Sequence, residues 1–341
     1  MAAHNGNPEK DQTMSFNRRR FLGAAALAPL TLAAPALLRF GGVAVAQEAA
    51  SPVSPAAIRR KVGDIEVFAL LDGHIAFPTA YLGGFDPAIA EASATAAHKP
   101  FDADMMTLGI NAYLIRTKDR VIAVDAGAPG VMGPTVARWA QSLAAAGVAP
   151  DDVDTVFLTH LHPDHVGGLT DMATGARVLP KAQVIASEVD WAFTHDAAVY
   201  ASLSKDFQGF FDLSRAMVAP YDAGKTLISA GAEIAPGLTT VAMPGHTPDH
   251  LGLRIDSGNE SLLIWGDALH STAYQFARPD WTFAFDADGG LAAKTRTNAL
   301  DMAATDGLLV AGMHLDFPGF GYVEKAGEGY RFIPAPHDYR A

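Results

Sequence analysis

Short apolar runs that end on turns alternate along this chain with alanine-rich stretches, and polar breaks separate them. "DIEVFALLDG" (Asp64 to Gly73) has the two-residue alternation of a half-buried strand and stops on a turn. "GINAYLIRT" and "RVIAVDAG" read as a strand pair meeting at Lys118-Asp119. Val131 to Ala146, rich in alanine, predicts a helix ending at Gly147. "DVDTVFLT" (Asp152 to Thr159) and "AQVIAS" predict strands. Over 194–225 the alternation stops and aromatics fall at irregular helical spacing, which predicts a helical insertion or lid. Strand patterns return in "GLTTVAMPG", "HLGLRID" and "ESLLIWGD". A helix follows over Gly290 to Thr305, then a core strand, "GLLVAGM", before His314. Strands then helix, twice over, predict an α/β (α+β) fold: two sheets face to face with helices outside.

The N-terminal segment follows a different pattern. "NRRRFLG" (Asn17 to Gly23) opens an apolar Ala/Leu-rich run to about Leu38, and Ala44-Val45-Ala46 offers a small-x-small cleavage site. Paired arginines before Phe-Leu match a twin-arginine export signal over 1–46. Residues 47–61, Pro/Ala-rich from Ser51 to Arg60, read as a linker, and 62–341 as one domain. The expected location is periplasmic or secreted, with no stable membrane anchor after cleavage.

Composition narrows the function. Hydrophobic residues make up 49% and charged residues 18%, a balance that fits a compact enzyme rather than a disordered chain. With 0 cysteines, any metal site must use His, Asp or Glu. Without its first 46 residues, five basic and two acidic among them, the chain holds 20 basic and 35 acidic residues, a net −15. That disfavours nucleic acid and anionic lipid and fits a small neutral or weakly charged substrate.

The densest chemistry lies in "FLTHLHPDHVGGL" (Phe157 to Leu169), where His160, His162, Asp164 and His165 fall at the end of a strand. His160 and His162 share one side by the period of two; Pro163 stiffens the turn, and Asp164 and His165 face a second point nearby. That geometry suits two metal ions better than one. His246, Asp267 and His314 each follow a further apolar strand and converge on the same sheet edge. No Gly-x-Ser-x-Gly turn offers a serine nucleophile.

This order, His-x-His-x-Asp-His, then His, Asp and His, resembles the metallo-β-lactamase superfamily, over nearly the whole chain after the export segment. "VDAGAPGVMGPT", "QGFFDLSRAM", "GHTPDH" and "GDALHSTAYQF" look closest to exported methyl parathion hydrolase-like and lactonase enzymes. The resemblance implies an αββα sandwich and two divalent metal ions per chain, zinc being the expected element. It places one ion on His160, His162 and His246, the other on Asp164, His165 and His314, with Asp267 bridging. A homodimer is also implied. Asp125 matches a residue that orients a ligand histidine; His250 and Asp72 are weaker candidates of that kind. His74, His195, His270 and His337 are left unassigned.

Two ions sharing a water would lower its pKa and supply hydroxide for attack on a lactone or ester carbonyl, or on a phosphotriester. Asp164 and Asp267 are the catalytic candidates, Asp164 as proton shuttle. Met132, Trp191, Phe210, Leu269, Tyr274 and Phe285, together with Phe211, are expected to line an apolar pocket. Met132 stands where methyl parathion hydrolases carry an aromatic and Phe285 where they carry an aliphatic residue, which favours a lactonase. The alternatives are a β-lactamase, a glyoxalase II-type thioesterase and, from another class, a non-catalytic binding module of the same fold.

Overall fold

The computed structural model describes residues 54–340, so the export signal expected over 1–46 lies outside the described residues. The first half supplies strands β1 (Ala56–Val62), β2 (Ile65–Pro78), β3 (Leu82–Gly83), β4 (Met105–Arg116), β5 (Val121–Val124), β6 (Thr155–Phe157), β7 (Gln183–Ser187) and β8 (Thr226–Ile228). The second half supplies β9 (Glu233–Ala235), β10 (Leu238–Ala242), β11 (Leu251–Ser257), β12 (Glu260–Ile264), β13 (Thr282–Phe283), β14 (Leu309–Ala311), β15 (Gly321–Ala326) and β16 (Gly329–Pro334). One seven-stranded sheet runs β1-β2-β4-β5-β6-β7-β8, the other β16-β15-β14-β12-β11-β10-β9.

Alternation along single strands assigns the layers. Val67 and Ala69 of β2, and Tyr113 and Ile115 of β4, join Leu253, Ile255, Leu262 and Ile264 in the core between the sheets. Their neighbours Phe68, Leu70, Ala112 and Leu114 face outward into a second core with Trp139, Leu143, Val166 and Met217. On the far side Leu263 and Trp265 pack with Ala299, Leu300 and Ala303. Strands apolar on both faces are thus covered on both faces, and the αββα sandwich follows.

The helices are α1 (Pro87–Ala96), α2 (Trp139–Ala145), α3 (Pro163–Val166), α4 (Glu188–His195), α5 (Ala197–Ser202), α6 (Lys205–Val218) and α7 (Gly289–Asp306). The insertion is helical as expected but begins at Glu188, where Ser187 caps α4 by accepting from the Asp190 N–H.

Two local expectations fail. The helix expected over 131–146 is confined to α2; before it the chain is irregular, with Gly133 at φ 145° and Ala137 at φ 65°. Alanine propensity is overridden there by Asp72, whose carboxylate accepts from the N–H groups of Ala128 and Ala137 at 3.1 Å and of Trp139 at 2.8 Å. The linker expected up to residue 61 is replaced from Ala56 by β1, which pairs with β2 along its length. Arg59 pairs with Glu66 across the two strands at 2.7 Å.

Candidate metal centre

Strand direction brings the chemistry to one edge. β5 and β6 run parallel, as do β12 and β14, so the residues after their carboxyl ends meet. Those residues are Asp125, His160, Asp267 and His314; His246 follows β10, and α3 carries Asp164 and His165. The structure gathers all seven expected donors. Ligand-capable atoms of His160, His162, His246 and Asp267 lie within 4.8 Å of one another, and so do those of Asp164, His165 and His314. Asp267 joins the groups, with Oδ2 3.3 Å from His246 Nε2 and 3.1 Å from His314 Nε2, and Oδ1 3.2 Å from His165 Nε2.

Three of the imidazoles are turned by a partner on the nitrogen away from Asp267. His165 Nδ1 is 2.7 Å from Asp125 Oδ2, His314 Nδ1 donates to the Gly109 carbonyl at 2.8 Å, and His246 Nδ1 is 2.9 Å from Asp286 Oδ1. These contacts fix which nitrogen faces the cleft. Asp125 itself sits at φ 58° and also accepts from the N–H and hydroxyl of Thr159, both at 2.8 Å, which places the residue before His160. Asp125 therefore has the orienting contact expected of it. His250 orients the acid: its Nε2 accepts from the Asp267 N–H at 3.0 Å. Gly266, at φ 55°, is required beside it, since a Cβ there would lie 2.4 Å from His250 Nε2.

Electrostatics matches a cation site. Burial pushes His160 and His162 well below the usual histidine range, leaving neutral imidazoles with free lone pairs. Burial also draws His165 and His314 down, but the carboxylates of Asp267 and Asp164 override it and raise both. The same histidines hold Asp267 well below its ordinary value against its burial. The buried carboxylates thus favour positive charge beside them, which a metal ion would supply.

The donors fit such ions on a second ground. His160 Nε2, His165 Nε2 and Asp267 Oδ1 are buried without a hydrogen-bond partner among the described residues. Buried polar atoms without a partner are costly unless a cation completes them. Nitrogen and oxygen donors without sulfur suit zinc, manganese, iron or cobalt.

Two residues escaped the sequence reading. Asp286, which turns His246, is fully buried, and its partner is 40 positions away, so no local spacing exposes the pair. His270, left unassigned, is buried with Nε2 3.3 Å from Asp267 Oδ2, and neither ring nitrogen has a hydrogen-bond partner among the described residues. Its i+3 spacing from Asp267 was the available signal. His74, His195 and His337 do not join the donor groups.

Of the pocket candidates, Phe210 and Phe285 stand at the site: Phe210 lies 5.2 Å from His162 and stacks on Phe285 at 5.5 Å. Phe283 extends this wall to His270 at 4.4 Å. Met132 packs on the cluster of Ile75, Ile110 and Val136, as does Phe77, whose ring lies 6.0 Å from that of Phe285. Trp191 and Leu269 are corrections, whereas Tyr274 shares a cluster with Phe283 and Phe285. Trp191 is in the core and stacks on His195, Leu269 is buried with Trp265 and Leu300, and Tyr274 packs against Phe85 and Trp281. Phe211 lies against Phe193 and, with Leu161 and His162, borders a small cavity behind the site.

Known proteins share the fold. The sequence profile described as "Metallo-beta-lactamase superfamily" matches residues 106–314. The crystal structure of the hydrolase AbOPH, of the beta lactamase superfamily, is 29% identical with a TM-score of 0.78, over 84% of this chain and 99% of that one. AidC, a dizinc quorum-quenching lactonase solved with a product, shares the fold at a TM-score of 0.76 and 24% identity, over 83% of this chain and 98% of its own. The N-acyl homoserine lactonase AiiB of Agrobacterium fabrum is 28% identical over 215 residues, 56% of this chain and 74% of its own. "Probable metallo-hydrolase Rv2300c" of Mycobacterium tuberculosis is 26% identical over 190 residues, and the match spans 56% of its length. The chain belongs to the metallo-beta-lactamase superfamily.

Proposed function

We propose that this chain is a two-metal hydrolase that opens lactones carrying an apolar substituent. The observation that carries the proposal is the pair of donor groups, His160/His162/His246 and Asp164/His165/His314, joined through Asp267. These residues would hold the two ions, zinc by preference. Bound there, divalent metal supplies a water activated near neutral pH and a Lewis acid for the carbonyl oxygen.

The chain's own residues do the rest. Phe210, Phe285 and Phe283 form the apolar wall beside the donors, and a flat or alkyl substituent packs against it. Asp164 is the most open of the site carboxylates, with 10% of its side chain exposed and Oδ2 3.5 Å from His314 Nε2. It is the group placed to hold a proton and hand it to the departing ring oxygen as the ester C–O bond breaks. Lactonase relatives and a solved lactonase of this fold support the same substrate class. Export through the twin-arginine route, from the Arg18-Arg19-Arg20-Phe21-Leu22 segment, belongs to this proposal.

The test is hydrolysis of dihydrocoumarin, an acyl-homoserine lactone and methyl parathion in parallel by metal-loaded protein. Lactone turnover exceeding phosphotriester turnover is expected. Faster methyl parathion hydrolysis would make the chain a phosphotriesterase and refute the preference drawn from Phe285.

A further inference from the structure

One buried cation lies outside the donor groups and outside everything used so far. Arg296, on α7, has no exposed surface. Its Nε donates to the Ala268 carbonyl at 2.7 Å, and its Nη1 to the carbonyls of Pro279 and Trp281 at 2.9 and 2.8 Å. Its Nη2 has no hydrogen-bond partner among the described residues and lies 3.9 Å from Asp286 Oδ2. Asp286 in turn holds His246 by Oδ1 and accepts from the Phe283 N–H through Oδ2 at 2.8 Å.

Removing a guanidinium from water is costly, and an apolar side chain of similar volume often serves stability as well. What Arg296 adds is geometry. Its three carbonyl acceptors begin one residue after Asp267 and end two before Phe283, so one rigid fork spans the segment bearing the bridging acid and the aromatic wall. Its charge faces Asp286, with Nη2 3.9 Å from Oδ2 of a carboxylate whose side chain is fully buried. Asp286 Oδ1 lies 2.9 Å from His246 Nδ1, and this contact turns Nε2 toward His162 and Asp267. Neighbouring α7 contacts reinforce the link, since Thr295 donates to the Pro244 carbonyl at 2.6 Å, two residues before His246.

We infer that Arg296 is a positioning residue of the metal centre, acting through Asp286 on His246, while the three backbone carbonyls hold its guanidinium in place. The inference rests on His246 being a metal ligand.

Zinc is the probe. Stepwise zinc dissociation constants of the purified protein are measured against a chromophoric chelator for wild type, R296M, D286N and the double variant. H246A and H314A assign each step to its donor group. R296M is expected to weaken the step that H246A removes by ~10–100-fold. The step that H314A removes is expected to stay within about 2-fold, and the double variant to be no worse than the worse single. Equal weakening of both steps, a lowered melting temperature with unchanged constants, or additive effects in the double variant would overturn the inference. Should R296M not fold, R296K keeps a cation beside Asp286. It is expected to hold the His246 step closer to wild type than D286N does, and the reverse order would overturn the inference. Wild-type protein that binds no zinc defeats the metal reading and this inference together. Two bound zinc ions left unchanged by R296M defeat this inference alone.

Discussion

Asp125 Oδ2 lies 2.7 Å from His165 Nδ1, both side chains almost wholly buried, and this contact fixes which nitrogen of His165 faces Asp267. The same carboxylate holds Thr159, the residue before His160, so one acid aligns a donor in each group. Asp125→Ala is expected to lower zinc affinity by ~10–100-fold, and Asp125→Asn by less, because the amide oxygen still accepts. Stepwise zinc titration checks it; equal affinity in wild type and Asp125→Ala would show that His165 needs no orienting partner.

Metal removal should cost stability as well as activity. Ions held about 1,000-fold below their free concentration contribute roughly 4 kcal/mol, on the order of 10 °C in melting temperature for a chain this long. A chelator is expected to lower the melting temperature by that order, and added zinc to restore it. Identical melting curves with and without chelator contradict this.

The aromatic wall should act on binding more than on chemistry. Phe210→Ala and Phe285→Ala are each expected to raise KM for an apolar lactone by roughly 10-fold, about 1.4 kcal/mol, with kcat nearly unchanged. Equal losses in kcat and kcat/KM would mean that the wall orients the carbonyl rather than holding the substituent.

Asp72 gives a prediction for pH and stability. Burial raises its pKa from 3.8 to about 6, only partly offset by the N–H groups of Ala128, Ala137 and Trp139, and no cation pairs with it among the described residues. Between those two values the folded chain binds more protons than the unfolded one. Its contribution to stability is therefore full below pH 3.8 and lost as pH rises through about 6, a span on the order of 3 kcal/mol. Urea unfolding of wild type and Asp72→Asn is expected to show a larger advantage for wild type at pH 4 than at pH 7. A difference constant across that range excludes a raised pKa for Asp72.

How much of this was legible in the sequence depends on the range over which each feature is encoded. His160, His162, Asp164 and His165 sit in one turn, and His246, Asp267 and His314 each end an apolar run, so local pattern marks all seven. The sandwich is legible because strands buried on both faces read as continuous apolar stretches. The false helix over 131–146 shows the opposite case, since the acid that breaks it, Asp72, lies about sixty residues earlier in the chain. Asp286 and Arg296 have no local signature, because their meaning comes from His246 and from carbonyls that only the fold brings near. Trp191 and Leu269 went wrong because an aromatic or leucine in a sequence does not declare which side of a core it faces.

Metal content of the purified protein, by elemental analysis of wild type beside Asp267→Ala, tests the central claim most directly. Two divalent ions per wild-type chain, with a marked loss in Asp267→Ala, is the predicted result. A chain that holds no metal after loading with zinc, manganese or cobalt would contradict the account at its root.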